Sequence, residues 1–359
     1  MEILHGRKIS FGENESDGSM PIVFVHLNGK IPKYLKLNII STIRRFPNNQ
    51  VVLIINRNLN DYRIDGLSVY KYEEDAKWKI LEKLLSHPKD FRDNFWLISL
   101  ARFFALEQLM LDYRNEFMHV ESDVLLSKDF PFNNFSKLKE TIAYPVVSRE
   151  RGVASTLYIK NLEIILSLTN FTIEIAKTDS QTSDMIILRK FYNQFKNQVA
   201  VLPFGPAHKE CYSEYIETDL LSSIVNGAEY FNGIFDGNDI GVYFFGTNPV
   251  NLRGRTILRK PIELNYANMR MWQPTYNTDR NFMDIKIDDK SEPIPVYSIH
   301  ATVKSNSLFS LNRQDRILRL RIKQSMSKSR TILLPNTFLI QLKNAIKRRM
   351  KHFLRRNLV

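Results

Sequence analysis

Residues 21–55 read PIVFVHLNGKIPKYLKLNIISTIRRFPNNQVVLII, and this stretch decides the fold. Pro21–Leu27 (PIVFVHL) and Val51–Ile55 (VVLII) are short, almost unbroken apolar runs. Such runs suit strands that are covered on both faces. Between them, Leu35, Ile39, Ile40 and Ile43 recur at helical spacing within Tyr34–Phe46. Strand, helix and strand in this order form a βαβ unit, whose two strands run parallel.

Outward from that unit the same alternation continues. Leu67–Tyr72 reads as a third strand. Phe95–Tyr113 (FWLISLARFFALEQLMLDY) carries Leu100, Phe103, Phe104, Leu106 and Met110 at helical intervals and reads as a largely buried helix. Phe117–Leu125 (FMHVESDVL) reads as one strand interrupted by acids, Ile142–Val147 as another, and Ile294–His300 (IPVYSIH) as a late one. Asn161–Leu168 and Ser183–Phe195 look helical, and Asp236, Gly237 and Asn238 mark a turn. The expectation is an α/β fold: a mostly parallel mixed sheet flanked by helices, with ligands bound beyond the carboxyl ends of its strands.

Composition fits a folded chain, with 43% hydrophobic and 25% charged residues. The single cysteine, Cys211, rules out an internal disulfide and a cysteine-built zinc site, and suits a reducing compartment. There is no apolar run of about eighteen residues and no signal-peptide pattern before Met20, so the expected location is cytoplasmic. The net charge of +13 is unevenly placed. Residues 311–359 hold fourteen Lys and Arg against one acid, whereas the first 310 residues balance at 37 against 37. This gives a neutral domain over 1–305 and a basic segment over 306–359.

Glu121 and Asp123 are the leading chemical candidates. In a continuous strand their side chains point to the same side. Two carboxylates held together become favourable when a hard cation such as Mg²⁺ or Mn²⁺ sits between them and a polyphosphate. An exposed acid pair on an edge strand or turn would be the plain alternative. His300 closes an apolar strand ahead of Lys304. It can complete a metal shell while the lysine holds a phosphate, or the two can be a structural histidine and a solvated lysine. Asp184, in Thr182-Ser183-Asp184, can cap the next helix or face a ligand, and Ser183 can cap it equally well. Asp236 is explained by turn or capping chemistry as well as by catalysis. Arg102, on an apolar helix, either pairs with Glu121, Asp123 or a bound diphosphate, or reaches the surface.

Five segments carry a resemblance: SLARFFALEQLM (99–110), FMHVESDVLL (117–126), SDMIIL (183–188), FDGNDIGVYFFGTNP (235–249) and IHATVKS (299–305). In this order they resemble a glycosyltransferase of the GT-A fold, and more narrowly the bacterial GT-A proteins of polysaccharide synthesis, over residues 20–305. Glu121-Ser122-Asp123 stands where that family has Asp-x-Asp, with glutamate as the departure. The resemblance implies a nucleotide-sugar donor, UDP-linked for preference, with Mn²⁺ or Mg²⁺ held by Asp123, His300 and Glu121. It places His26, Asn28, Asn56, Arg102, Glu121, Ser122 and Lys304 around the nucleotide-sugar, and Asp184 and Asp236 as catalytic candidates on the acceptor side. The His-x-x-x-Lys ending leans toward a retaining enzyme. The competing readings are a metal-dependent nucleic-acid enzyme that uses the same acids with the basic tail, and a non-catalytic binding protein on this fold.

The acceptor implied is a saccharide or a lipid-linked saccharide. Leu339, Leu342, Ile346, Met350 and Phe353 form an apolar stripe bordered by Lys and Arg, which suits peripheral contact with an anionic membrane through residues 338–356. Packing on the domain and nucleic-acid binding are the other readings of that helix, the last being the least favoured.

Overall fold

A computed structural model of the chain describes residues 19–27, 29–56, 64–88, 94–214, 216–245, 272–301 and 306–326. Asn28, Lys304 and the 338–356 stripe lie outside the described residues.

In chain order the first half comprises β1 (Ile22–His26), α1 (Lys33–Arg45), β2 (Val51–Ile55), β3 (Leu67–Lys71), α2 (Ala76–Leu84), α3 (Phe95–Tyr113), β4 (Phe117–Val120), β5 (Val124–Leu126), α4 (Phe132–Phe135), β6 (Ile142–Tyr144), β7 (Val146–Ser148), β8 (Arg151–Gly152) and β9 (Thr156–Ile159). There follow α5 (Leu162–Thr178), α6 (Asp184–Gln194), β10 (Val199–Val201), α7 (Thr218–Phe231), β11 (Ile234–Phe235), α8 (Asp239–Phe245), β12 (Gln273–Asn277), β13 (Phe282–Lys286), β14 (Ile294–His300), α9 (Asn306–Phe309) and α10 (Leu311–Met326).

The seven-stranded sheet has the order β10-β6-β9-β4-β1-β2-β3. All its pairings are parallel except those of β9, which runs against both β4 and β6. This is the mostly parallel mixed sheet, flanked by helices, that the βαβ pattern predicts. The apolar runs of β1 and β2 are explained by burial on both faces. Val23, Val52, Ile54 and Phe117 join the core on one side, while Ile22, Phe24, Val51, Leu53, Met118 and Val120 join it on the other. Each such side chain removed from water contributes roughly 1.5–3 kcal/mol. Helix α3 is apolar nearly all round because it is enclosed, with α2 and α5 on one side and the sheet on the other.

Two predicted strands are each divided in two, and the first division makes the site. Phe117–Leu125 is not one strand. The chain turns at Glu121-Ser122-Asp123, where the Val124 N–H donates to the Glu121 carbonyl at 3.0 Å. β5 then leaves the seven-stranded sheet and pairs antiparallel with β14 in a second sheet with β11, β13 and β12. The two acids therefore flank a turn between sheets, and their placement does not come from strand alternation. Ile142–Val147 divides at Pro145, which has no N–H for a ladder; β6 stays in the large sheet and β7 pairs with β8.

The sequence boundary at 305 does not end the core. Leu308, Phe309, Leu318 and Ile322 are buried with the main cluster. Gln314, fully buried, accepts from Arg45 at 2.9 Å and Ser41 at 3.4 Å, and Arg45 also donates to the Leu126 carbonyl. Among the described residues no helix is long and apolar enough to cross a membrane.

Candidate metal centre

β4 ends beside the carboxyl ends of its parallel neighbour β1 and of β2, so Glu121 emerges on the ligand-binding edge of the sheet. Asn38, buried in α1, ties the turn down by donating to the Ser122 carbonyl at 3.1 Å and the Val124 carbonyl at 2.8 Å. The Glu121 N–H reaches the Ser155 carbonyl at 3.1 Å, at the mouth of β9. These bonds fix the backbone on both sides of the two acids. The sequence offers one signal for Asn38, an amide inside the apolar stripe of Leu35 and Ile39.

The antiparallel register of β5 with β14 sets His300 opposite Val124 and so brings its ring to the turn. The His300 Nε2 lies 3.1 Å from Asp123 Oδ1 and 3.7 Å from Glu121 Oε2. Ligating atoms of Glu121, Asp123 and His300 all fall within 4.8 Å of one another. A small divalent ion with ligands at about 2.1 Å spans about 3 Å between adjacent donors and about 4.2 Å between opposite ones. The two separations from His300 Nε2, 3.1 and 3.7 Å, lie in that window, and two carboxylates with an imidazole suit Mn²⁺ or Mg²⁺ in chemistry. The residues present fit a divalent cation.

Burial alone would lower the pKa of His300. Asp123, by charge and hydrogen bond, then Glu121 and Asp236, outweigh burial and raise it to about 9. A histidine raised in this way stabilises the fold fully below its unfolded value near 6.5, and that contribution is lost as pH rises through about 9. In chelator, the wild type should therefore lose on the order of 2–3 kcal/mol between pH 6.5 and pH 9 relative to His300→Gln. Denaturant titrations at the two pH values measure the difference.

Asp236 is fully buried directly after β11, and its carboxylate is committed to backbone. Oδ1 accepts from the Ile240 N–H at 3.0 Å, and Oδ2 accepts from the Gly241 and His300 N–H groups, each at 2.8 Å. The capping and turn chemistry open in the sequence accounts for these bonds, which tie the start of α8 to the end of β14. Burial raises its pKa, against the pull of His300 and of these N–H donors. Gly241 is required here, because an added Cβ would lie 1.8 Å from the His300 carbonyl oxygen. Gly241→Ala should displace the end of β14, cost at least about 2 kcal/mol and weaken cation binding, as calorimetry with Mn²⁺ would measure.

Arg102 lies at the centre of the buried charges. One guanidinium nitrogen donates to Glu121 Oε1, the other to Asp184 Oδ2 at 2.8 Å, and Nε donates to the Ser99 carbonyl at 2.8 Å. The guanidinium is thus held by protein carboxylates, and the surface alternative does not apply. Burial pushes the Glu121 carboxyl up, but Arg102 and then His300 more than offset it, so its pKa is lowered. Glu121 presents one oxygen to Arg102 and the other toward the His300 ring. Asp184 opens α6, while Ser183 is the cap and accepts from the Ile186 N–H. Burial raises the Asp184 pKa, with Arg102 pulling the other way. His119, two residues before Glu121, is buried and neutral. Burial first, then Arg102, lowers its pKa to about 3, and its Nδ1 contacts the Val23 carbonyl at 3.0 Å.

The other sequence candidates lie further out. His26 ends β1, half-buried, with its pKa lowered by burial. Asn56 follows β2 and donates to Glu74 at 3.0 Å. The Ser122 hydroxyl lies 3.5 Å from that of Tyr34.

No protein-family model matches the sequence, and no curated protein does. In three dimensions the chain overlaps with solved structures that include the PaToxG glycosyltransferase, at 12% identity over 50% of this chain and 71% of that one, with a TM-score of 0.35. Another is the galactosyltransferase LgtC in complex with donor and acceptor sugar analogs, at 14% identity over 51% and 73%, with a TM-score of 0.36. A third is mouse xyloside xylosyltransferase 1, at 9% identity over 51% and 85%, with a TM-score of 0.35. Overlap at this level is partial, and what the site can do follows from its own residues.

Proposed function

We propose that this chain is a metal-dependent glycosyltransferase that moves a sugar from a nucleotide-diphosphate donor, a UDP-sugar for preference, to a saccharide or lipid-linked saccharide acceptor. The observation that carries the reading is the convergence of Glu121, Asp123 and His300, from two different sheets, at the carboxyl edge of a mostly parallel sheet. Asp123 and His300 would hold Mn²⁺ or Mg²⁺, with Glu121 Oε2 as third ligand or nucleotide contact. Bound there, the cation supplies charge neutralisation for the departing diphosphate. Arg102 keeps Glu121 ionised and aimed, Asn38 fixes the turn, and Asp236 holds the backbone of His300.

Retention of configuration is the favoured outcome. Neither aspartate named as a catalytic candidate is placed as a free acceptor base: Asp236 is capped by backbone N–H groups, and Asp184 is bonded to Arg102 and to the Met185 N–H. Proton NMR of the first-formed product, read at its anomeric signal, tests this.

The wider reading is tested by melting the full chain with UDP and Mn²⁺ together and with each alone. A ligand at a hundred times its Kd adds about 2.7 kcal/mol, which is a rise of a few degrees in Tm. No rise with any nucleoside diphosphate and metal, together with no hydrolysis of any sugar nucleotide, would overturn it.

A further inference from the structure

We infer that the outward face of α10 is an electrostatic docking face for an anionic phospholipid bilayer. The helix turns Gln314, Leu318 and Ile322 into the body and leaves Arg313, Arg316, Arg319 and Leu320 exposed. The three arginines recur every third residue, so they line one side of the helix over about 9 Å. Arg319 is further oriented by the ring of Tyr276, 4.5 Å beneath its guanidinium carbon. In sequence, the segment from residue 311 onward to which this helix belongs carries fourteen Lys and Arg against one acid.

The packing of α10 selects among anionic partners. Its inner side lies against β12, β13 and α8. A helix so seated offers a partner only its outer side, whose exposed residues, among those described, are three arginines and one leucine. A flat anionic sheet needs only the one exposed side. The apolar side is turned inward, so adhesion comes from charge and not from insertion of a greasy face. Each arginine near such a surface strengthens binding roughly fivefold. The attachment should therefore weaken steeply as salt shortens the Debye length.

This inference stands apart from the glycosyl-transfer reading, because it needs no donor and no metal. The test is co-sedimentation of the full chain with vesicles of phosphatidylcholine alone and of phosphatidylcholine with one-third phosphatidylglycerol. The wild type should partition onto the anionic vesicles and be released by high salt. The variant Arg313→Gln/Arg316→Gln/Arg319→Gln should partition roughly 100-fold less, with its melting temperature unchanged. Equal binding of wild type and variant, equal binding to neutral vesicles, or no vesicle binding at all would overturn it. So would tighter binding to mixed-sequence DNA than to the anionic vesicles, lost in the same variant. The nucleotide–metal melting shift, measured on the same variant, reports separately on the active-site reading.

Discussion

Asp123→Ala is expected to abolish the joint stabilisation by nucleoside diphosphate and metal, and to lower donor turnover by roughly 10³-fold or more. Asp123 is almost wholly buried, and its Oδ1 is the nearest carboxylate oxygen to the His300 ring, at 3.1 Å. Without it the ligand set falls to one imidazole and a glutamate already shared with Arg102. The metal-free fold should tolerate the change better than the site does, because His300 can give up its proton once its main partner is gone, at a stability cost of about 1–3 kcal/mol. Asp123→Asn separates charge from shape: it keeps one neutral oxygen at the same place and should retain part of the metal affinity but little turnover. Calorimetric titration with Mn²⁺, alongside chelator-treated melting curves, distinguishes loss of the site from loss of the fold. An alanine variant that still melts higher with metal and nucleotide would remove Asp123 from the centre.

The frame around this site was legible in the sequence, for a physical reason. Unbroken apolar runs such as VVLII and a largely apolar helix such as FWLISLARFFALEQLM arise where both faces are covered, so β1, α1, β2 and α3 could be read from local pattern alone. The chemical residues were legible as types. What local pattern could not supply was the partner of each. The turn at Glu121-Ser122-Asp123 looks like strand because Val124–Leu126 is as apolar as Phe117–Val120; only the pairing of β5 with β14, some 170 residues away, sends the chain into a second sheet. For Asp236 local pattern named a turn but not the N–H groups of Ile240, Gly241 and His300 that its carboxylate accepts from. β12 and β13 were missed because their mixed polar and apolar residues carry no clear period, and β9 because four residues, TLYI, are too short to set one. Glu121 turns one carboxylate oxygen to Arg102 and the other toward His300, 3.7 Å away, a pairing that local pattern does not reveal.

Arg102→Leu is expected to destabilise the chain by about 3–5 kcal/mol, the range for removing one partner from a buried ion pair. The substitution leaves Glu121 and Asp184, both largely shielded from solvent, without their shared cation. Those carboxylates must then repel each other or take up protons. Arg102→Lys keeps the charge but as a single point that cannot fork between two acceptors, so an intermediate loss is expected. Asp184→Asn should be milder than either, since Arg102 keeps Glu121. Combining Arg102→Leu with Asp184→Asn should recover part of the loss, because the double variant buries one uncompensated charge in place of two. The pH dependence carries the sign. Glu121 has a lowered pKa in the folded wild type, so its contribution is present above the unfolded value near 4.5 and disappears as pH falls through the folded one. Arg102→Leu removes that contribution, and its two carboxylates protonate more readily, so the gap between variant and wild type should narrow from pH 7 toward pH 5. Urea titrations at both values read the gap directly. A loss below about 1 kcal/mol that does not change with pH would mean that Arg102 is a peripheral side chain, and that Glu121 is aimed at the metal centre by something other than the guanidinium.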